Sequence, residues 1–266
     1  VSERSAAIPF VKASACGNDF LLIDRELAPA DIAAFTRRIC DRHEGVGADG
    51  VEWMSPHATA DVEIHLVNSD GSVAEISGNG TRCVAAHLCA ERGKETVAIQ
   101  TGAGLKVCTL TARSDSGYEF EAAMGAAEVG KEKTVKTTVD DFSGIPVSMG
   151  NPHFVVFVNC FDVNWQEQAE EIQRHGGFEH GVNVELVLLA GQHDLQVRFF
   201  ERGVGETQSS GTGSCAAAVA AMSTGRFLSP MKVHTLGGTQ IVRWENNQVF
   251  LRGWARVTFR GEFFLG

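Results

Sequence analysis

The sequence predicts an α+β protein built from two halves of similar structure. Ser77-Gly78-Asn79-Gly80 recurs as Ser210-Gly211-Thr212-Gly213, and Gly17-Asn18 recurs as Gly150-Asn151. Both matches have a spacing of 133 residues (77 to 210, 17 to 150), half the length of a 266-residue chain. One spacing shared by two motifs marks an internal repeat. Each SGxG also precedes an alanine-rich apolar run that reads as a helix, with strand candidates around it. A related pair of helix N-termini is a natural anion site. The expectation is that Ser77 and Ser210 flank one bound molecule across a cleft. One face of a carbon would then lose a proton while the other face gains one.

The first half begins with a strand candidate, Phe20 to Ile23, after the Gly17-Asn18 turn. Pro29 to His43 reads as a helix, because Ile32, Phe35 and Ile39 recur near helical spacing. Gly45 to Gly50 is a glycine-rich loop. It lacks the GK[ST] ending of a phosphate loop and the dinucleotide spacing, so phosphate binding is not expected. Val62 to Val67 alternates like a strand and ends in the turn signal Asn68-Ser-Asp-Gly71. A helix is expected from Thr81 to about Arg92, closed by Gly93, and short strands from Val97 to Phe120. Lys131 to Gly144, charged and polar, reads as the crossover between halves.

The second half repeats the order. Phe154 to Val158 reads as a strand and Trp165 to Arg174 as a helix, closed by Gly176-Gly177. Val182 to Leu189 and Leu195 to Phe200 read as strands. A helix is expected from about Ser214 to Thr224. Gln240 to Trp244 and Val249 to Leu251 are the final strand candidates. The expected domains are 1–125 and 126–255, with a last strand at about 256–266 returning to the first.

Composition excludes several classes. A net charge of −10 with no basic stripe argues against nucleic acid. Seven cysteines, an odd number with no CxxC, argue against a disulfide framework and for a reducing cytoplasm. No zinc-type spacing occurs, so no metal is expected. No apolar stretch reads as a leader or reaches the length of a membrane span.

The ordered motifs carry a resemblance. Gly17-Asn-Asp-Phe20, Gly45-Val-Gly-Ala-Asp-Gly50, Asn68-Ser-Asp-Gly71 and Gly78-Asn-Gly80 with Arg82-Cys83 fill the first half. Gly150-Asn-Pro-His153, Gly181-Val-Asn183, Glu201-Arg-Gly-Val-Gly-Glu206 and Gly211-Thr-Gly213 fill the second. Together they resemble the diaminopimelate epimerase family over nearly the whole chain. The resemblance implies two domains, each a curved mixed β-sheet or barrel wrapped around a central helix. It also implies isomerase chemistry without a cofactor, in lysine and peptidoglycan precursor synthesis. The expected partner is a small amino-acid substrate, with no nucleic acid and no membrane, and a homodimer is the candidate assembly.

The resemblance places a catalytic cysteine pair at the two helix starts, where this chain has Ser77 and Ser210. A hydroxyl is a weaker acid than a thiol by roughly 5 pKa units, worth about 7 kcal/mol and about 10⁵ in rate if uncompensated. A serine base needs a neighbouring base. Glu75 and Glu206 are the carboxylates near each serine in sequence. Cys83 and Cys215 lie over a turn further on and are expected in the core, as free cysteines usually are. His153 is expected to be structural.

The binding positions are retained. The resemblance assigns the far end of the substrate to Asn68, Asn151, Asn183, Glu201 and Arg202, with Asn18 near the reacting end. Arginine suits a carboxylate through its planar fork, and glutamate suits an ammonium. The amides of Gly78-Asn79 and Gly211-Thr212 are expected to hold the reacting-end carboxylate. Two alternatives remain: another racemase or isomerase on this scaffold, or an amino-acid-binding homologue without turnover.

Overall fold

The protein is described over residues 7–265 in a computed structural model. Residues 1–6, part of the stretch without leader character, and Gly266, the end of the expected returning strand, lie outside them. The chain divides into two compact units, residues 1–122 with 253–266, and residues 123–252.

In the first unit, the strand Ala7–Ala15 pairs antiparallel with Asn18–Asp24, which pairs parallel with Gly50–Ser55. Gly50–Ser55 pairs antiparallel with Val62–Asn68, which continues parallel to Thr96–Thr101 and on to Gly104–Ser114. Helix α1, Ile32–Cys40, lies on one face of this sheet. Helix α2, Gly78–Arg92, lies on the other. Asp31 caps α1 by accepting the Ala34 N–H at 2.9 Å, which starts that helix inside the expected segment. α1 is amphipathic and buries Phe35, Thr36, Ile39 and Cys40. α2 is buried almost throughout, as a central helix must be, and ends on Gly93 at φ +66°.

The second unit repeats this plan. Its sheet runs Asp141–Ser148, Pro152–Val158, Asn183–Gly191, Asp194–Glu201, Met231–Thr235 and Gly238–Glu245, with the same alternation of pairings. Helix α3, Trp165–Arg174, buries Trp165, Ala169 and Ile172 along one stripe. Helix α4, Gly211–Ser223, is apolar all round and buried from Gly213 to Met222. The repeat is kept to the residue: Phe20 pairs with Gly50 in the first unit, and His153 with Asn183 in the second.

Two expectations are corrected. Lys131 to Gly144 is not a plain crossover, because Lys133–Lys136 pairs antiparallel with Asp141–Ser148. Val135 enters the core with Phe154 and Trp165 while Thr134 and Lys136 on either side are exposed, and this short polar stretch hid the strand. The strands expected at Val249 to Leu251 and at about 256–266 are also one continuous strand. It runs Gln248–Phe264, and its later part pairs with Ala7–Ala15.

Candidate active site

Both central helices begin on the serines. Ser77 is the N-cap of α2 and accepts the Gly80 N–H at 3.1 Å. Ser210 is the N-cap of α4 and accepts the Gly213 N–H at 3.2 Å. Both serines have extended backbone, as a cap requires. The helices therefore start at Gly78 and Gly211, a few residues before the apolar runs that announced them. A capping hydroxyl oxygen already receives one amide and sits at the positive end of the helix dipole. Both effects favour negative charge on that oxygen.

A buried carboxyl lies against each of these first turns. Glu52 stands in the strand Gly50–Ser55, whose Val51 and Trp53 pack towards α1 and whose Met54 packs towards α2. Glu52 is fully buried and neither carboxyl oxygen has a hydrogen-bond partner. Burial pushes its pKa up to about 8. A β-carbon on Gly80 would meet Glu52 Oε1 at 2.0 Å, so only glycine lets the carboxyl lie under this turn. Glu185 occupies the corresponding place in the second unit. A β-carbon on Gly213 would meet its Oε1 at 2.8 Å. Burial raises its pKa, and His153 opposes the rise.

The two carboxyls differ in their partners. His153 Nδ1 lies 2.7 Å from Glu185 Oε1, and both side chains are buried. His153 Nε2 lies 3.0 Å from Asn151 Oδ1, while Asn151 Nδ2 donates to Thr212 Oγ1 at 3.4 Å. That order makes Nε2 the protonated nitrogen, leaving Nδ1 and Glu185 to share one proton. Phe20 holds the place of His153 in the first unit, so Glu52 has no such partner.

His153→Phe would make the second unit like the first at this point. Stranding a buried carboxyl is expected to lower unfolding stability by about 3 kcal/mol. Adding Glu185→Leu should recover most of that loss. Denaturant unfolding checks both, and a loss below about 1 kcal/mol would mean that the pair does not hold the fold.

The asparagines near α2 form a directed chain. Arg82 donates to Asn79 Oδ1, Asn79 Nδ2 donates to Asn18 Oδ1, and Asn18 Nδ2 donates to Asp49 Oδ2 at 2.9 Å. Asp49 also pairs with Arg42 at 2.8 Å. A guanidinium that only donates at one end and a carboxylate that only accepts at the other fix which way both amides point. Asn68 donates to Ser72 Oγ at 3.0 Å within its turn.

In the second unit, Asn183 donates to the Pro152 carbonyl and accepts the Arg202 N–H at 2.9 Å. It thereby fastens the start of its strand to the Glu201-Arg202 turn. Arg202 is exposed and donates to the His180 carbonyl at 2.8 Å, leaving other guanidinium donors for a ligand. Glu201 is half-buried at the end of its strand.

Other candidates are placed elsewhere. Glu75 and Glu206 are exposed, and Glu206 accepts from Gln166 at 3.2 Å. The carboxyls at the helix starts are instead Glu52 and Glu185, which the sequence reading missed. One signal could have found them: they too are 133 residues apart (52 to 185). Cys83 and Cys215 are fully buried in the core, and burial holds the Cys83 thiol pKa well above the ordinary range. His153, expected to be structural, is buried and bonded to Glu185 and Asn151. Among the described residues no cluster of His, Cys, Asp and Glu could hold a metal.

The diaminopimelate epimerase family profile matches residues 10–129 and 145–258. The chain belongs to the diaminopimelate epimerase family. It is 35% identical to the diaminopimelate epimerase of Pelotomaculum thermopropionicum, over 96% of this chain and 98% of that one. It is 36% identical to that of Sphingopyxis alaskensis, over 95% and 96%. Among solved structures it resembles a PhzF-family phenazine biosynthesis protein of Bacillus anthracis, with a TM-score of 0.77 at 15% identity, covering 98% of this chain and 100% of that one. A hydroxyproline epimerase from Agrobacterium vitis has a TM-score of 0.73 at 15% identity, covering 99% and 93%. At such identities these structures speak for the two-domain fold alone.

Proposed function

We propose that this family member interconverts L,L- and meso-diaminopimelate, with Ser77 and Ser210 as its two proton-transfer groups. The carrying observation is the matched pair of capped helix starts, each with a serine oxygen at the helix dipole and a buried carboxyl against the same turn. One serine takes the α-proton and the other delivers a proton to the opposite face of the carbon. Amides of Gly78-Asn79 and Gly211-Thr212 receive the reacting-end carboxylate. In this reading Asn18 lies near that end, and Asn68, Asn151, Asn183, Glu201 and Arg202 hold the far amino-acid group.

No cofactor enters this reading. The helix dipoles and amides carry the charge that builds on the α-carbon and its carboxylate. The far-end contacts fix which carbon is presented. Seven cysteines, none of them in a disulfide among the described residues, support a reducing compartment, in keeping with cytoplasmic precursor synthesis. No described helix is long and apolar enough to cross a membrane.

The test is exchange of the α-proton with solvent, with inversion, on both isomers in deuterated water. Exchange without inversion would leave one serine unused. Binding without exchange would make the chain an amino-acid-binding homologue. Arg202→Lys should weaken diaminopimelate binding about tenfold or more, because lysine loses the bidentate fork, while stability hardly changes. Asn68→Ala should weaken it as well. Unchanged affinity in calorimetry for both variants would move the pocket or change the substrate.

A further inference from the structure

Glu52 is a buried acid that the fold leaves without an explanation. Its two oxygens are fully enclosed and unpartnered, a placement that works against stability. The flanking strands present Leu22 and Leu66 opposite it. α2 contributes Arg82 and Cys83 to the same neighbourhood, with Asp19 further along the adjoining strand. Arg82 is turned towards Asn79. The position against which the carboxyl presses is Gly80, whose amide is the one that Ser77 accepts. A β-carbon built there would lie 2.0 Å from Glu52 Oε1 and 3.3 Å from Ser77 Cβ. The carboxyl and the capping serine therefore share one turn of backbone.

We propose that Glu52 is a positioning residue for Ser77 that holds the proton Ser77 must give up when it acts as a base. This rests on the reading of Ser77 as a proton-transfer group. Glu52 reaches Ser77 by rotation of the hydroxyl or through one water. When Ser77 Oγ removes the α-proton, the Cα–H bond breaks and its electron pair stays on the substrate carbon. A new O–H bond forms on Ser77, and the original hydroxyl proton passes to Glu52 in its carboxylate form, the form that gains as pH rises towards about 8. One negative charge has moved from Glu52 to the substrate. In the opposite direction Ser77 protonates the carbon and Glu52 returns its proton to Ser77. The device makes a hydroxyl usable where an unassisted one is too weak an acid to turn over. It also separates the two halves chemically: the carboxyl near Ser210 is hydrogen-bonded to an imidazole, and the one near Ser77 has no partner.

The experiment is a cycle of Glu52→Gln and Ser77→Cys, read by α-proton exchange and by calorimetric binding of diaminopimelate. Glu52→Gln keeps size and removes the titrating proton. With Ser77 present it should slow exchange at least thirtyfold with binding retained. In the Ser77→Cys background it should slow exchange less than threefold, because a thiol does not need the relay. An equal loss in both backgrounds would overturn the proposal and leave Glu52 a packing group. Unchanged exchange in Glu52→Gln, with Ser77 intact, would overturn it too, as would loss of folding in both Glu52→Gln and Glu52→Leu. If the unaltered chain shows no exchange while the double cysteine variant does, the serines are not activated; Glu52 has no such role and the site reading survives. If neither exchanges, the functional reading itself falls, and the Glu52 proposal with it.

Discussion

Replacing both Ser77 and Ser210 by cysteine is expected to raise α-proton exchange on diaminopimelate about 10³-fold. The unassisted deficit of a hydroxyl relative to a thiol is about 10⁵. The relay proposed for Glu52 recovers on the order of 10² of it, the lower end of what general bases contribute. The remainder is what the thiols restore. Each single change should give far less, because the opposite face still relies on a hydroxyl. Thiols cap helices less well than hydroxyls, so each exchange should lower stability by about 1 kcal/mol. Rates in deuterated water, with binding measured alongside, check this. No gain in the double variant with binding intact would remove both serines from the reaction.

The second large effect is on stability against pH, and it comes from Glu52. Its pKa is about 8 in the folded chain against an ordinary 4.5. Between these values the folded chain keeps a proton that the unfolded chain has released. Stability must therefore fall as pH rises through this window, by up to about 1.4 kcal/mol per pH unit and about 5 kcal/mol in total. Below pH 4.5 the group is neutral in both states and contributes no slope. Above about 8 it is ionised in both and the slope ends. Glu52→Leu should remove this fall, so the variant gains little near pH 4.5 and most near pH 8. Unfolding in denaturant across this range measures it. Parallel curves for the two proteins would show that Glu52 ionises normally.

Much of this was legible in the sequence, for physical reasons. The repeated SGxG and GN motifs sit where the chain makes caps and turns, and such positions tolerate few residue types. The apolar run after Ser210 became α4, buried on every side, because nothing in it can face water. Trp165 to Arg174 has the same bounds in sequence and structure, since its stripe is regular. What stayed hidden was Glu52 and Glu185. A carboxylate in a strand ordinarily marks the solvent face, yet these strands have a helix on each face, so no face is wet. The binding positions could be named only through the family resemblance. Asparagine in a loop has the same local signature whether it closes a turn, as Asn68 does, or ties two elements together, as Asn183 does.

The long strand Gln248–Phe264 has a consequence for how the chain folds during synthesis. Residues 256–264 pair with Ala7–Ala15, so the first unit is closed by residues translated long after that strand. The other unit, 123–252, is continuous and can fold as soon as it leaves the ribosome. Vectorial synthesis thus reverses the usual order: the second unit can be complete before the first. The N-terminal sheet waits on the order of 10 s with Ala7–Ala15 lacking its outer neighbour. During that interval the edge of Ala7–Ala15 is unpaired, and such an open edge is a template for wrong pairing until residues 256–264 cover it.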